Sequence, residues 1–560
     1  MLSISIPSFR VLLCLLLFAA PSFSQDVNPT GAVVNRAEAE KWREDLRYMA
    51  REMEARHNNL FHTMTREQFE SAVKGLHERI PALARHQIIV EMARIVGMVR
   101  DGHTNIAPTR DPKIGFRSLP VKLYLFKDGL FVRAAERGHA DLVGARVVKI
   151  GDATPDEAIA RAREIIGRDN EMDVKFFAPL LLVMPEVLHS LGLSDSTEGA
   201  RFTFERAGRQ QQTLMLKPIG PAEMLPPDTD LSWLPKEGWV DMRDVASAPI
   251  PLWLKDPKNK FWFEYLPGPK VVYVQINEVG NKDNESIADF SKRLFSFVET
   301  NPVDKLVLDL RLNRGGNGTL LRPLEIALIK SKLDQPGKLF VVMGRSTWSA
   351  AQFLLDHLEK YTNALFVGEP SGSKGNDYGD SRKVTLPNSG ITVRVSVYYW
   401  QEWEPWDTRV WTAPHLTAEL TSEGYLNNQD PALKAILNYA PRKPLTKILD
   451  EALTEGGLDL VVKKFREFMA DPVNKFAATE EPLLITGQRL LNEKKYEQAL
   501  VLFKLDAEEN PHSFRAYHAM GFAYLMIGNK EQAQKNLERA LEMSPKNYDV
   551  AELLKQLKEH

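Results

Sequence analysis

A serine stands between an apolar run of strand length and a helical pattern, in Leu339-Phe-Val-Val-Met-Gly-Arg-Ser-Thr-Trp-Ser349-Ala-Ala-Gln-Phe-Leu-Leu. The run stops at Gly344 and the helical spacing starts near Ser349. A hydroxyl at such a junction sits at the positive end of a helix, beside backbone N–H groups that have no intrahelical acceptor. That placement can expose a nucleophile and stabilise the oxyanion it generates. A second junction lies upstream, Leu306-Val-Leu-Asp309-Leu-Arg-Leu-Asn-Arg-Gly315-Gly316-Asn-Gly318. There a strand of buried type ends in a glycine-rich turn, where backbone N–H groups can closely approach a ligand. Each junction has a plain structural reading too: most serines at helix starts are N-caps, and paired glycines can serve a tight turn alone.

The two junctions together resemble the S41 peptidase family, which includes the tail-specific (C-terminal processing) proteases, the tricorn protease core and retinoid-binding-protein-like members. Asp309 to Gly316 and Ser349 to Ala351 match its Asp-Leu-Arg-x-Asn-x-Gly-Gly and Ser-Ala-Ala patterns. Gly368-Glu-Pro-Ser-Gly-Ser-Lys-Gly-Asn376 and Leu386-Pro-Asn-Ser-Gly390 follow in the family's order, and the resemblance spans roughly residues 40 to 440. It implies hydrolysis of a peptide or protein substrate with no cofactor and no metal, and Ser349 as nucleophile. It also implies an oxyanion hole made by the N–H of Ala350 and one from Gly315 or Gly316. Two bases are open. Asp101-Gly-His103-Thr104 reproduces the turn that carries the histidine base of the tricorn-like and retinoid-binding-like branches, and a histidine can take and return a proton near neutral pH. Lys374 stands at the spacing of the Ser–Lys dyad of the tail-specific branch, but Tyr378 occupies the place where that branch favours glutamine. That mismatch moves the weight to His103. Tricorn completes its tetrad with a serine before the base and a glutamate downstream. Here Gly102 replaces the serine, and Asp407 is the acid nearest the expected position, with Glu402 or Glu404 as alternatives.

The fold expected around these residues is α/β and multidomain. Apolar spacing of three and four, as in Leu46, Met49, Met53, Phe69 and Val73, predicts an N-terminal helical domain over residues 25–110. Alternation in Val121-Lys-Leu-Tyr-Leu, Leu130-Phe-Val-Arg, Phe202-Thr-Phe-Glu and Thr213-Leu-Met-Leu predicts a β module over 111–220. It resembles the PDZ-like module of many S41 proteins, with a helical insertion near 157 to 193. A proline- and tryptophan-rich connector covers 221–265. Strands and helices then alternate over 266–440, which argues for a mainly parallel sheet, in family terms a ClpP/crotonase-like core. After a linker over 441–482, Gly487, Ala499 and Pro511 recur as Gly521, Ala533 and Pro545, each displaced by 34 residues. That is the tetratricopeptide period, so residues 483–560 are expected to form helical repeats that can receive a protein partner.

Composition excludes other classes. A net charge of −2 over 560 residues, with no long run of one sign, leaves no footprint for nucleic acid. Arg10, the short apolar run Val11–Ala20 and the small residues Ser22 and Ser24 predict a secretory signal over residues 1–24. An exported protein, periplasmic or extracellular, with no span left after cleavage, is therefore expected. Cys14, the only cysteine, lies inside that signal, so disulfides, thiol catalysis and Cys-ligated zinc are excluded from the mature chain. His57 and His62 do not share a helical face, and no metal site is expected there. Trp400, Trp403, Trp406 and Trp411 suit a substrate cleft or a packed core equally well. The leading expectation is a secreted serine endopeptidase. A catalytically idle S41-like binding protein and a tetratricopeptide scaffold are the alternatives.

Overall fold

The computed structural model describes residues 32–206, 208, 210–220, 237–405 and 407–559. The expected signal, Trp406 and part of the connector lie outside the described residues.

The centre is a six-stranded sheet in the spatial order Leu416–Thr417, Leu365–Gly368, Leu339–Met343, Lys305–Asp309, Val271–Ile276, Phe261–Leu266. All neighbours run parallel except the last pair, which is antiparallel. Helices Ile287–Thr300, Arg322–Ile329 and Ala350–Tyr361 bury one face with Phe290, Leu324 and Leu354, while Ala432 and Ile436 of helix Pro431–Leu437 close the other over Val307 and Val342. Cover on both faces is why these strands read as continuous apolar runs without alternation. The register pairs Leu306 with Leu339 and Asp309 with Val342. The glycine turn after Asp309 and the serine turn after Met343 therefore leave neighbouring carboxyl ends of the sheet, where open α/β sheets place their ligands.

The N-terminal helices Arg36–Arg56, Arg66–Arg79 and Arg85–Gly97 and the β module are not separate in their packing. Leu46, Met53 and Phe69 share one apolar cluster with Val121, Val132 and Phe202, and with Val384 and Val393 reaching back from the core. The module's antiparallel strands run Val121–Phe126, Gly129–Glu136, Arg146–Ile150, Ala200–Glu205 and Gln211–Leu216. Its insertion folds as helices Pro155–Arg163, Glu171–Leu181 and Pro185–Ser190. Lys175 of that insertion pairs with Glu369 (2.7 Å) and Glu419 (3.0 Å) of the core, and Lys475 from the segment leading to the repeats reaches the same Glu419 (2.6 Å).

His86 and His189 meet at 2.8 Å between helices Arg85–Gly97 and Pro185–Ser190. Burial, then the charges of His189, Arg117 and Arg85, lowers His86 from its ordinary 6.5 to about 4. A base whose folded pKa is depressed binds its proton more readily unfolded, so its contribution is whole above about 6.5 and is lost as pH falls through about 4. The melting temperature is expected to drop across that window, less steeply in His86→Gln. Identical slopes for the two proteins would remove His86 from the explanation.

Helices Glu480–Asn492, Tyr496–Glu509, Phe514–Met526, Lys530–Met543 and Tyr548–Glu559 form the C-terminal array. A methyl on Gly487 would lie 2.3 Å from the Phe503 ring, and one on Gly521 would lie 2.6 Å from Leu537. Both pairs are offset by the same 34 residues, so the repeat glycines mark the place where paired helices touch. The segment expected as a linker, 441–482, holds helix Leu445–Ala470, and its Leu449, Val461 and Phe465 join the apolar cluster of the repeats. A break at Gly457 (φ 68°) divides it. Truncation after residue 440 should therefore leave a soluble, cooperatively melting core, whereas truncation after 482 exposes that apolar face. Aggregation of both truncated chains would show that the array is part of the core.

Candidate active site

Thr347 shapes the serine turn: its Oγ1 accepts from the Gly344 N–H (3.0 Å) and donates to the Leu310 carbonyl (2.9 Å), lacing the two junctions together. The Trp348 N–H donates to the Asn313 carbonyl (3.1 Å). Ser349 is left at φ 57°, ψ −126°, a conformation an L-residue adopts only under strain, which costs on the order of 1–3 kcal/mol. It stands at the N-cap position of helix Ala350–Tyr361, yet its side chain makes no cap hydrogen bond. Its Oγ lies instead 3.3 Å from His103 Nε2.

His103 is presented by a turn built on Asp101. One Asp101 oxygen accepts from the N–H groups of His103 (2.7 Å) and Thr104 (3.0 Å) and from Ser396 Oγ (2.9 Å). The other lies 2.9 Å from His57 Nε2, and the Asn59 N–H donates to His57 Nδ1 (3.0 Å), so Nε2 carries the proton given to Asp101. Burial pushes the Asp101 carboxyl up, but the bonds from His57 and Thr104 and the charge of His103 outweigh it and hold it below its usual range. The Trp348 ring stacks on His103 with centroids 3.9 Å apart. A methyl on Gly102 would lie 2.9 Å from Asp169 Oδ2 and 3.0 Å from that tryptophan. A side chain at Gly102 would have to displace the Asp169 carboxylate or the Trp348 ring.

The glycine turn lies against Ser349. A methyl on Gly315 would come within 2.7 Å of Ser349 Cβ and 2.9 Å of the Ala350 nitrogen. The Gly315 N–H is taken by Asn313 Oδ1 (2.8 Å). Gly316 (φ 139°) is held by Val279, whose N–H donates to the Gly315 carbonyl and whose carbonyl accepts from Asn317, both at 2.8 Å. Among the described residues no acceptor takes the N–H of Gly316 or of Ala350. Of the two glycines expected as oxyanion donors, Gly316 is the one with a free N–H.

Lys374 and Asp407 are placed differently from the expectation. Among the described residues Lys374 makes no hydrogen bond or ion pair, and its charge acts on Asp169, Asp377 and His62. Asp407 is bound by Arg409 (2.9 Å), which also pairs with Glu359 (2.8 Å) and lies over Trp403. Glu402 bonds His357 (3.0 Å), and Glu404 offers only its backbone carbonyl to Asn376 (3.0 Å). The loop that carries these acids turns toward the far half of helix Ala350–Tyr361, so the structure brings none of the three to His103.

Residues 490–557 match the tetratricopeptide repeat family. The C-terminal array is tetratricopeptide. No curated protein sequence matches the chain. Among solved structures, it is similar to mature CPAF complexed with lactacystin, at 12% identity and a TM-score of 0.47, covering 71% of this chain and 99% of that one. The photosystem II D1 C-terminal processing protease gives 15% identity, a TM-score of 0.32 and coverage of 72% and 97%. The first tetratricopeptide domain of the human RPAP3 protein gives 23% identity and a TM-score of 0.16, covering 20% of this chain and 87% of that one.

Two acids that no local pattern announced lie beside His103. A ring nitrogen of His103 and one carboxylate oxygen each of Asp169 and Asp377 all fall within 4.8 Å of one another. Near them His57 and His62 stack at 5.8 Å, with the Tyr378 ring 4.4 Å from His62. Of the three described tryptophans of the cluster, Trp403 donates to Asp356 (3.0 Å) and Trp411 packs on Phe476. Trp400 borders the site: a methyl on Gly379 would lie 3.0 Å from Trp400 and 3.8 Å from His103 Cε1. Among the described residues no helix is long and apolar enough to cross a membrane.

Proposed function

We propose that this chain is an exported serine endopeptidase of the S41 type, in which Ser349 is the nucleophile and His103 the base. One observation carries the reading: a strained serine at a helix start that caps nothing, with its Oγ 3.3 Å from His103 Nε2. In the reaction, Ser349 Oγ attacks a peptide carbonyl while its proton passes to Nε2. The oxygen of the tetrahedral intermediate then rests on the N–H groups of Gly316 and Ala350, each contributing on the order of 3 kcal/mol. His103 returns the proton to the leaving amine, and water releases the acyl group by the same steps reversed. The Trp348 stack keeps the imidazole plane fixed throughout. The tetratricopeptide array is proposed to receive a protein partner, and the basic-then-apolar N-terminus supports export.

A fluorophosphonate probe tests this reading. Protein from the native host should become labelled at Ser349, and its intact mass should lack residues 1–24. Absence of labelling in a folded protein would leave an idle binding protein as the better description.

A further inference from the structure

We propose that Asp169, carried by the insertion of the N-terminal module, is the carboxylate that orients His103, and that Asp377 beside it stays neutral and shares its remaining proton. This rests on the peptidase reading, in which His103 Nε2 must be free to accept from Ser349.

The imidazole has one nitrogen toward the nucleophile, and its other nitrogen, Nδ1, is buried with no partner. An unpaired buried ring nitrogen costs free energy until something accepts its proton or donates to it. Two atoms are placed to do so, because Asp169 Oδ2 and Asp377 Oδ1 are also buried and unpartnered and both carboxylates belong to the 4.8 Å cluster. Asp169 is already tied to the base's own turn, since its Oδ1 accepts from the Gly102 N–H (3.0 Å). Its backbone is clamped as well. The Asp169 N–H donates to Asp173 (2.8 Å), and Asn170 Nδ2 donates to the carbonyls of Ser371 (3.2 Å) and Val410 (2.8 Å). A methyl on Gly167 would lie 2.3 Å from the Thr104 carbonyl, so this loop presses directly on the histidine turn.

Two adjacent buried carboxyls cannot both ionise. Burial, then the charge of Asp169, pushes Asp377 well above the usual carboxylate range. Asp169 is raised by burial too, but the charges of Lys374 and His103 and the Gly102 N–H pull it back. Among the described residues the Gly102 N–H donates to Asp169 while no donor reaches the Asp377 carboxylate, and this geometry assigns the negative charge to Asp169 and the proton to Asp377. Other charged groups face the pair from each packed element: Asp101 from the histidine turn, Asp173 from the insertion, Asp356 from helix Ala350–Tyr361 and Lys374 from its own loop. Lys374 then acts as counter-charge to the acids and not as a base. With Asp169 ionised, the neutral imidazole keeps its proton on Nδ1, which leaves the Nε2 lone pair toward Ser349. When Nε2 takes the serine proton, the imidazolium sits against a fixed negative charge. Catalytic hydrogen bonds are often long in a free enzyme and tighten in its substrate complex, so the 4.8 Å spread is compatible with the pairing.

The test uses the full-length protein with 15N-labelled histidine, reading which ring nitrogen of His103 carries the proton in the neutral state. Wild type should show Nδ1–H. Asp169→Asn, whose amide can donate to Nδ1, should move the proton to Nε2 and lower both kcat and the fluorophosphonate labelling rate by roughly a thousandfold with little change in KM. Asp377→Asn keeps a neutral group in place and should cost less than tenfold in kcat. Nε2–H in the wild type, whatever the variants do, overturns the proposal. So does an Asp169→Asn protein that keeps Nδ1–H and labels within threefold of wild type. Should wild type neither label nor cleave while Asp169→Asn still shifts the tautomer, the peptidase reading fails and the Asp169–His103 pairing stands.

Discussion

Ser349→Ala and His103→Ala are each expected to lower kcat by about 10⁴- to 10⁶-fold, with the double variant no slower than the worse single one. The non-additivity follows from the contact itself. Oγ and Nε2 are 3.3 Å apart and act on one proton, so removing either member removes the function of both. Residual turnover above the uncatalysed rate should remain, because the proposed Gly316 and Ala350 donors survive in both variants. Lys374→Met belongs in the same series. Its ammonium bonds nothing among the described residues and acts only as a charge on Asp169, Asp377 and His62, so its loss should cost far less than that of His103. Steady-state kinetics on a quenched peptide decides the matter: if Lys374→Met is dead while His103→Ala turns over, the base is the lysine.

Gly316→Ala is expected to be nearly as damaging, for a backbone reason. The added methyl would lie 2.1 Å from the Val279 carbonyl oxygen and 2.8 Å from its carbon, at a φ of 139° that side chains rarely adopt. Neither neighbour is a flexible side chain, so the turn itself must shift and carry the oxyanion donor with it. A fall in kcat of about 10²- to 10³-fold is the scale for losing one such donor, and a lower melting temperature should accompany it. Gly318→Ala in the same turn is the control, since its nearest neighbour is the edge of the Phe353 ring at 3.1 Å and its φ is not positive. Equal activity in the two variants would mean that the turn around Gly316 holds no oxyanion.

How much of this site the sequence discloses depends on how local each part is. Ser349, His103 and the glycines sit in short motifs whose turns form from neighbouring residues, and the pairing of Leu306 with Leu339 does the rest. Choosing between Gly315 and Gly316 requires knowing that Asn313 consumes one N–H, which only a hydrogen-bond account reveals. Asp407 is the acid that the resemblance points to, but Arg409 two residues on captures it, and position in the chain says nothing about where a loop turns. Asp169 lies in an insertion with no motif of its own, and its role depends wholly on long-range packing. In the C-terminal half, the apolar spacing of Leu445, Leu449, Val461 and Phe465 is interrupted at Gly456 and Gly457, which made one broken helix read as a linker.

His103 and Ser349 are separated by 246 residues of chain. Closing a loop of that size costs about 5 kcal/mol in chain entropy before any contact rewards it. Contacts so distant in sequence form late in folding. Ser349 lies downstream of His103, so a chain still emerging from synthesis cannot hold the pair, and the core by itself has a strained serine with no histidine beside it. In the proposed mechanism the pair therefore forms only once the segment carrying His103 has docked on the core that carries Ser349.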